Sequence, residues 1–198
     1  MELFIQQLTN GLAVGGIYAL IALGYTMVYG VLKLINFAHG DLFTIGAYLG
    51  LTLLTTLGLT NYLGPFGVVI VLALMVMGLV AIVGAALERV AYRPLRQSHR
   101  LSAVVSALGA SIFFQNAVML IYGARYKVYP HDILPRTAIN IFGLDIPLIR
   151  LLMLLTSIVM MIGLYLFIQR TKIGTAIRAA AIDQGAAKLI GINVDRVI

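Results

Sequence analysis

Six consecutive residues, Asn36-Phe37-Ala38-His39-Gly40-Asp41, place an amide, an imidazole and a carboxylate inside an otherwise apolar stretch. An aspartate at the centre of a membrane helix costs roughly 2.5–3.5 kcal/mol on the insertion scale, so such a group faces protein or a water-filled path. Two readings are open. His39 and Asp41 could relay a proton or an ion, or Asn36 or Asp41 could simply cap the next helix. Gln115 and Asn116 raise a similar question in a second apolar run, where polar side chains need partners inside the protein. They fit either glue between helices or part of a substrate path. Other chemistry is missing. The four lysines follow Leu32, Tyr126, Thr171 and Ala187, so there is no Gly-Lys-Ser/Thr phosphate loop. Three scattered histidines, no cysteine and no His-Glu-x-x-His pattern leave no metal-ligand cluster. No catalytic residue and no cofactor of its own are expected of this chain.

The elements that position these groups can be read from composition. The chain is 61% hydrophobic and 11% charged, with a mean hydropathy of +1.01, which excludes an ordinary soluble domain. Charge-free runs cover 3–32, 42–87, 101–124 and 151–169. About 20 apolar residues cross the hydrocarbon core, so the second run is too long for one crossing, and Thr60-Asn-Tyr-Leu-Gly-Pro65 marks a turn within it. The expectation is an all-α, polytopic membrane bundle with five crossings, at about 9–32, 40–58, 65–87, 101–123 and 150–168. Gly11-x-x-x-Gly15 and Gly46-x-x-x-Gly50 put small residues on one helix face for close packing, including against a second subunit.

Charge orients the bundle. The net charge of +7 could suggest nucleic acid, but in so apolar a chain membrane orientation explains the lysines and arginines better. Ten of the fourteen (Lys33, Arg89, Arg93, Arg96, Arg100, Arg170, Lys172, Arg178, Lys188 and Arg196) fall on one side of the five crossings. The positive-inside rule makes that side cytoplasmic and the N-terminus external. The opening ten residues contain no basic residue and make a poor secretory signal. The outer connection, about 124–149, carries Pro130, Pro135 and Pro147 and an alternating hairpin pattern at 139–146. It is either a cover for the helix ends or a contact surface for a binding protein.

The cytoplasmic stretch 174–193 is rich in alanine and carries Arg178, Asp183 and Lys188. Alanine favours helix, and Gly191 suits its end, so one short surface helix is expected. Such a helix lies beside the bilayer, either as an amphipathic connector or as a docking surface. Gly174, Arg178, Ala179, Asp183, Leu189, Gly191, Ile192 and Asn193 resemble the coupling loop of the branched-chain amino-acid permeases of bacterial ABC importers, the LivH/LivM family. The match extends to Tyr18-Ala-Leu-Ile-Ala-Leu-Gly24, Asn36-Phe-Ala-His-Gly40, Glu88-Arg-Val-Ala-Tyr-Arg-Pro-Leu-Arg96 and Ser111-Ile-Phe-Phe-Gln-Asn116.

The resemblance implies one transmembrane permease domain over 1–198 in a bacterial inner membrane. It implies a translocation path or gate that includes Asn36, Phe37, His39, Gly40 and Asp41, with Gln115 and Asn116 as further candidates. It also implies coupling through Gly174, Arg178, Ala179, Ala180, Asp183, Leu189, Gly191 and Ile192. The implied partners are ABC ATPase subunits that bind ATP and Mg²⁺, a second permease subunit and an extracytoplasmic substrate-binding protein. Family members continue with further membrane helices, so this chain is expected to be incomplete at its C-terminus. The alternative is a stand-alone secondary transporter or channel built on the His39/Asp41 relay, and a membrane scaffold without transport is a third class.

Overall fold

The structure, a computed structural model, describes residues 2–95, 100–130, 138–141 and 144–197. Among the described residues five helices are long and apolar enough to cross a membrane. They are α1 (Glu2–Leu32), α2 (His39–Leu57), α3 (Pro65–Leu87), α4 (Arg100–Tyr122) and α5 (Leu148–Arg170). Three short helices come after them: α6 (Lys172–Ile182), α7 (Gln184–Leu189) and α8 (Val194–Val197). The expected hairpin forms from β1 (Ala138–Ile141) and β2 (Leu144–Pro147), antiparallel with Ile139 opposite Ile146.

The helices are apolar around most of their circumference, as expected where lipid or protein covers every face. α1 begins at Glu2, earlier than the expected residue 9, and its 31 residues span about 46 Å at 1.5 Å per residue. Pro65 opens α3, where its missing N–H costs nothing. α3 does not stop at Leu87. It continues through a wider π-helical turn, Glu88–Tyr92, and a 3₁₀ turn, Arg93–Leu95.

Two compact units form, one from α1, the hairpin and α5–α8, the other from α2–α4. In the first, α1 packs along α5, with Gly16 so close to Ser157 that an added Cβ would stand 3.0 Å from the serine Cβ. In the second, Gly46 and Gly50 face Val76 and Val80 of α3, as the small-residue spacing suggests. Tyr129 folds back on the same helix, donating to the Ala47 carbonyl at 2.6 Å. Burial pushes the Tyr129 phenol up, so it stays protonated and remains a donor. The Gly11/Gly15 pair behaves differently: no other part of the described chain comes within 4 Å of where their Cβ atoms would be.

The single helix expected over 174–193 is two helices. α6 ends at Ile182 because Asp183 turns extended (φ −148°, ψ 113°), and its carboxylate then caps α7 by accepting from Gly185 and Ala186 N–H at 2.7 and 3.1 Å. The α5–α6 corner is tight. Thr171 Oγ1 donates to the Phe167 carbonyl at 2.6 Å and accepts from Gly174 N–H at 2.9 Å. A Cβ on Gly174 would lie 2.3 Å from the Ile168 carbonyl oxygen and 2.4 Å from that of Phe167. Backbone meets backbone there, so only glycine fits. Gly174→Ala should therefore lower the thermal midpoint of the detergent-solubilised protein by several degrees, whereas Gly15→Ala, with open space and better helix propensity, should leave it level or raise it. Equal midpoints for the two variants would rule out the corner as a tight constraint.

Candidate functional site

Asn36 is the centre of the polar segment between α1 and α2. It is only 8% exposed, and its side-chain oxygen accepts from Ala38 N–H at 3.1 Å and from the Tyr92 hydroxyl at 2.6 Å. The first bond is a local turn that starts α2, and His39 N–H donates to the Asn36 carbonyl at 3.2 Å. The second bond ties that turn to the π-helical end of α3. The capping reading of Asn36 thus holds in part: the asparagine shapes the turn, while Ala38 occupies the cap position and Asp41 sits in the first turn of α2. Ala38 is fully buried, Phe37 and Gly40 are exposed, and His39 is half-buried.

In the first turn of α2, Asp41 meets α4. The Ser111 hydroxyl donates to the Asp41 carboxylate at 2.5 Å, and the Gln115 amide N–H donates to Ser111 Oγ at 3.1 Å. Two of the sequence-predicted residues, Asp41 and Gln115, are thereby joined through a third that the sequence did not single out. Ser111 and Gln115 are four apart, on one face of α4, and that spacing was the signal available. Asn116 does not join them. It is exposed and donates to the Ile112 carbonyl of its own helix at 2.7 Å. Tyr92 had no comparable sequence signal, because its partner lies 56 residues away.

The candidate coupling residues divide by environment. Gly174 is set by the α5–α6 corner and Asp183 by the α7 cap. Arg178 folds back to donate to the Gln169 side chain, with Thr175 Oγ1 at 3.4 Å. Ala180 is 1% exposed and faces into the fold, so it is not available to a partner, while Ala179 and Ile192 are half-buried. Gly191 adopts φ +84°, the left-handed conformation that lets the chain leave α7. The outward groups are Ile182 at 87% exposure, Leu189 at 90% and Ile190 at 74%. Gln184 braces this element by donating to the Val31 carbonyl at 2.8 Å, which satisfies an end group of α1. Thr171 could have been read from sequence as a helix cap; Gln184 could not.

No group of three or more His, Cys, Asp or Glu side chains among the described residues could hold a metal. A family model described as branched-chain amino acid transport system / permease component matches residues 7–198. The high-affinity branched-chain amino acid transport system permease protein BraD of Pseudomonas aeruginosa is 42% identical over 202 residues, covering 98% of this chain and 64% of the relative. The corresponding permease protein LivH of Escherichia coli K12 is 40% identical over 200 residues, with the same shares, and a probable LivH of Methanocaldococcus jannaschii is 27% identical over 196 residues. No solved structure matches the chain. The chain thus spans 64% of the length of these two bacterial relatives. With five membrane-length helices and a family match from residue 7 onward, it belongs to the family of branched-chain amino acid transport system permease components.

Proposed function

We propose that this chain acts as one transmembrane subunit of an ATP-driven importer for branched-chain or related amino acids, coupled to a separate ATPase through α6 and α7. The observation that carries the coupling role is the exposed trio Ile182, Leu189 and Ile190. These side chains lie beyond the last membrane-length helix, on a short two-helix element braced by the Gly174 corner, the Asp183 cap and the Gln184–Val31 bond. Exposed apolar side chains outside the bilayer, on a fixed support, suit a protein partner. The ATPase subunits bind ATP and Mg²⁺; the permease contributes the path and the lever. For ATP to drive the path, the ATPase must grip α6–α7 differently in its two states, since equal binding shifts no equilibrium.

The remaining partners come from the same reading. The open Gly11/Gly15 face of α1 suits a second permease subunit, and the outer connection with its hairpin suits a binding protein that delivers substrate. The basic side is cytoplasmic, the N-terminus external, and the membrane a bacterial inner membrane. Resemblance to permeases of this type favours ATP-coupled import over the His39/Asp41 ion relay.

Two experiments test the reading. Leu189→Glu in the assembled transporter should insert normally but weaken retention of the ATPase by about 30-fold, the scale of losing about 2 kcal/mol at an interface anchor. Ala180→Glu should instead reduce the amount of folded protein, because it buries an unpaired carboxylate. Normal ATPase retention in Leu189→Glu would show that the trio is not the docking surface. Orientation is read separately: a reporter active only outside the cytoplasm should work when fused after Lys127 and be silent when fused after Leu95. The reverse pattern would put α6 and α7 on the wrong side for an ATPase.

A further inference from the structure

The polar rung between α2 and α4 has a direction. Gln115 donates to Ser111, and Ser111 donates to Asp41, so the hydroxyl proton is committed to the carboxylate. Acceptors remain at both ends. Among the described residues no donor reaches the second Asp41 oxygen, and none reaches the Gln115 side-chain carbonyl. The rung is also open. Asp41 is half-buried, Gln115 is exposed, and among the described residues nothing beyond Gly40's chain neighbours and its own helix backbone lies within 4 Å of where a Cβ on Gly40 would be. A carboxylate with a spare oxygen at the start of a membrane-length helix, linked through Ser111 to an amide with a spare carbonyl, is complementary to a small cation rich in N–H donors. It is not complementary to a carboxylate or to a purely apolar group.

We infer that Asp41 and Gln115 form a subsite for the α-ammonium group of an amino acid, with Ser111 holding the Asp41 carboxylate in place. The inference rests on the proposed amino-acid substrate and adds which atoms would receive one end of it. An ammonium has three donors: one can meet the free Asp41 oxygen and another the Gln115 carbonyl, leaving the third for water or a further acceptor. Ser111 is a positioning residue, since its hydroxyl is already committed.

These 198 residues hold no cysteine, so Gly40→Cys gives them a single thiol beside Asp41, and its labelling is read on this subunit against the parent transporter. In the assembled transporter a cationic methanethiosulfonate should label that thiol about tenfold faster than an anionic one of similar size, and Asp41→Asn should remove the preference. L-Leucine should slow labelling, while 4-methylpentanoate, which has the same side chain and carboxylate but no ammonium, should not. Asp41→Asn should also cut leucine uptake at least tenfold with ATPase co-purification unchanged, and Asp41→Glu should restore part of it. Equal labelling by the two reagents, or equal protection by 4-methylpentanoate, would overturn the subsite. Protection by sodium and not by leucine would overturn it in favour of an inorganic-ion site. Absence of leucine uptake in the parent transporter would count against the importer reading, whereas the labelling ratio tests the subsite without requiring transport.

Discussion

A polar group placed in hydrocarbon must find its partner inside the protein, and this constraint organises the chain from backbone to site. Helices meet it for the backbone. Several hydroxyls meet it locally: Thr56, Thr156 and Ser157 all donate to carbonyls four residues back, at 2.7 Å. Asn116 does the same with its amide. Groups that turn back in this way are neutral passengers in the bilayer. Groups that reach across to another element mark where the architecture is specified, among them Tyr92 to Asn36, Ser111 to Asp41, Gln184 to Val31, and the shared hydrogen bond of Thr52 with Tyr122.

The same constraint explains why the segment 36–41 is more than a turn. Asn36 has one side-chain oxygen and two donors upon it, one starting α2 and one arriving from the π-helical end of α3. A π-helical turn widens the helix locally and shifts the register of the residues after it, and such turns recur at functional positions. In this chain it delivers the Tyr92 hydroxyl to a buried amide. Removing the Asn36 side chain would leave the Tyr92 hydroxyl buried and unsatisfied, at a cost of about 1–3 kcal/mol, whereas without Tyr92 the Asn36 oxygen would still accept from Ala38 N–H. The turn is therefore tied to a neighbouring helix, and Asp41, one turn later, is presented to α4 in a fixed place.

Beyond the membrane the governing constraint is steric. At the α5–α6 corner two backbones approach so closely that Gly174 has no room for a side chain, and Thr171 caps the incoming helix. Asp183 then ends α6 and begins α7, while Gln184 takes up a carbonyl at the end of α1. These polar groups act within the fold. The most exposed side chains of the element are apolar, Ile182, Leu189 and Ile190.

The sequence by itself determined the membrane class, the number of crossings, the hairpin and the family. Those depend on composition, run length and short motifs, all of which are local. Helix ends were legible to within a few residues, except that α1 starts near the N-terminus and α3 runs on through its π-helical turn, because apolar length does not reveal where hydrogen bonding stops. Asp41 and Gln115 were both visible as candidates, but their connection through Ser111 was not: it spans 70 residues and depends on how α2 and α4 pack. Ala180 looked like a docking position because small residues on a short helix suggest close approach. Only the tertiary structure decided that it faces inward and that Ile182, Leu189 and Ile190 face out. A helical period states which residues share a face, and the neighbours packed against the helix decide which face is covered.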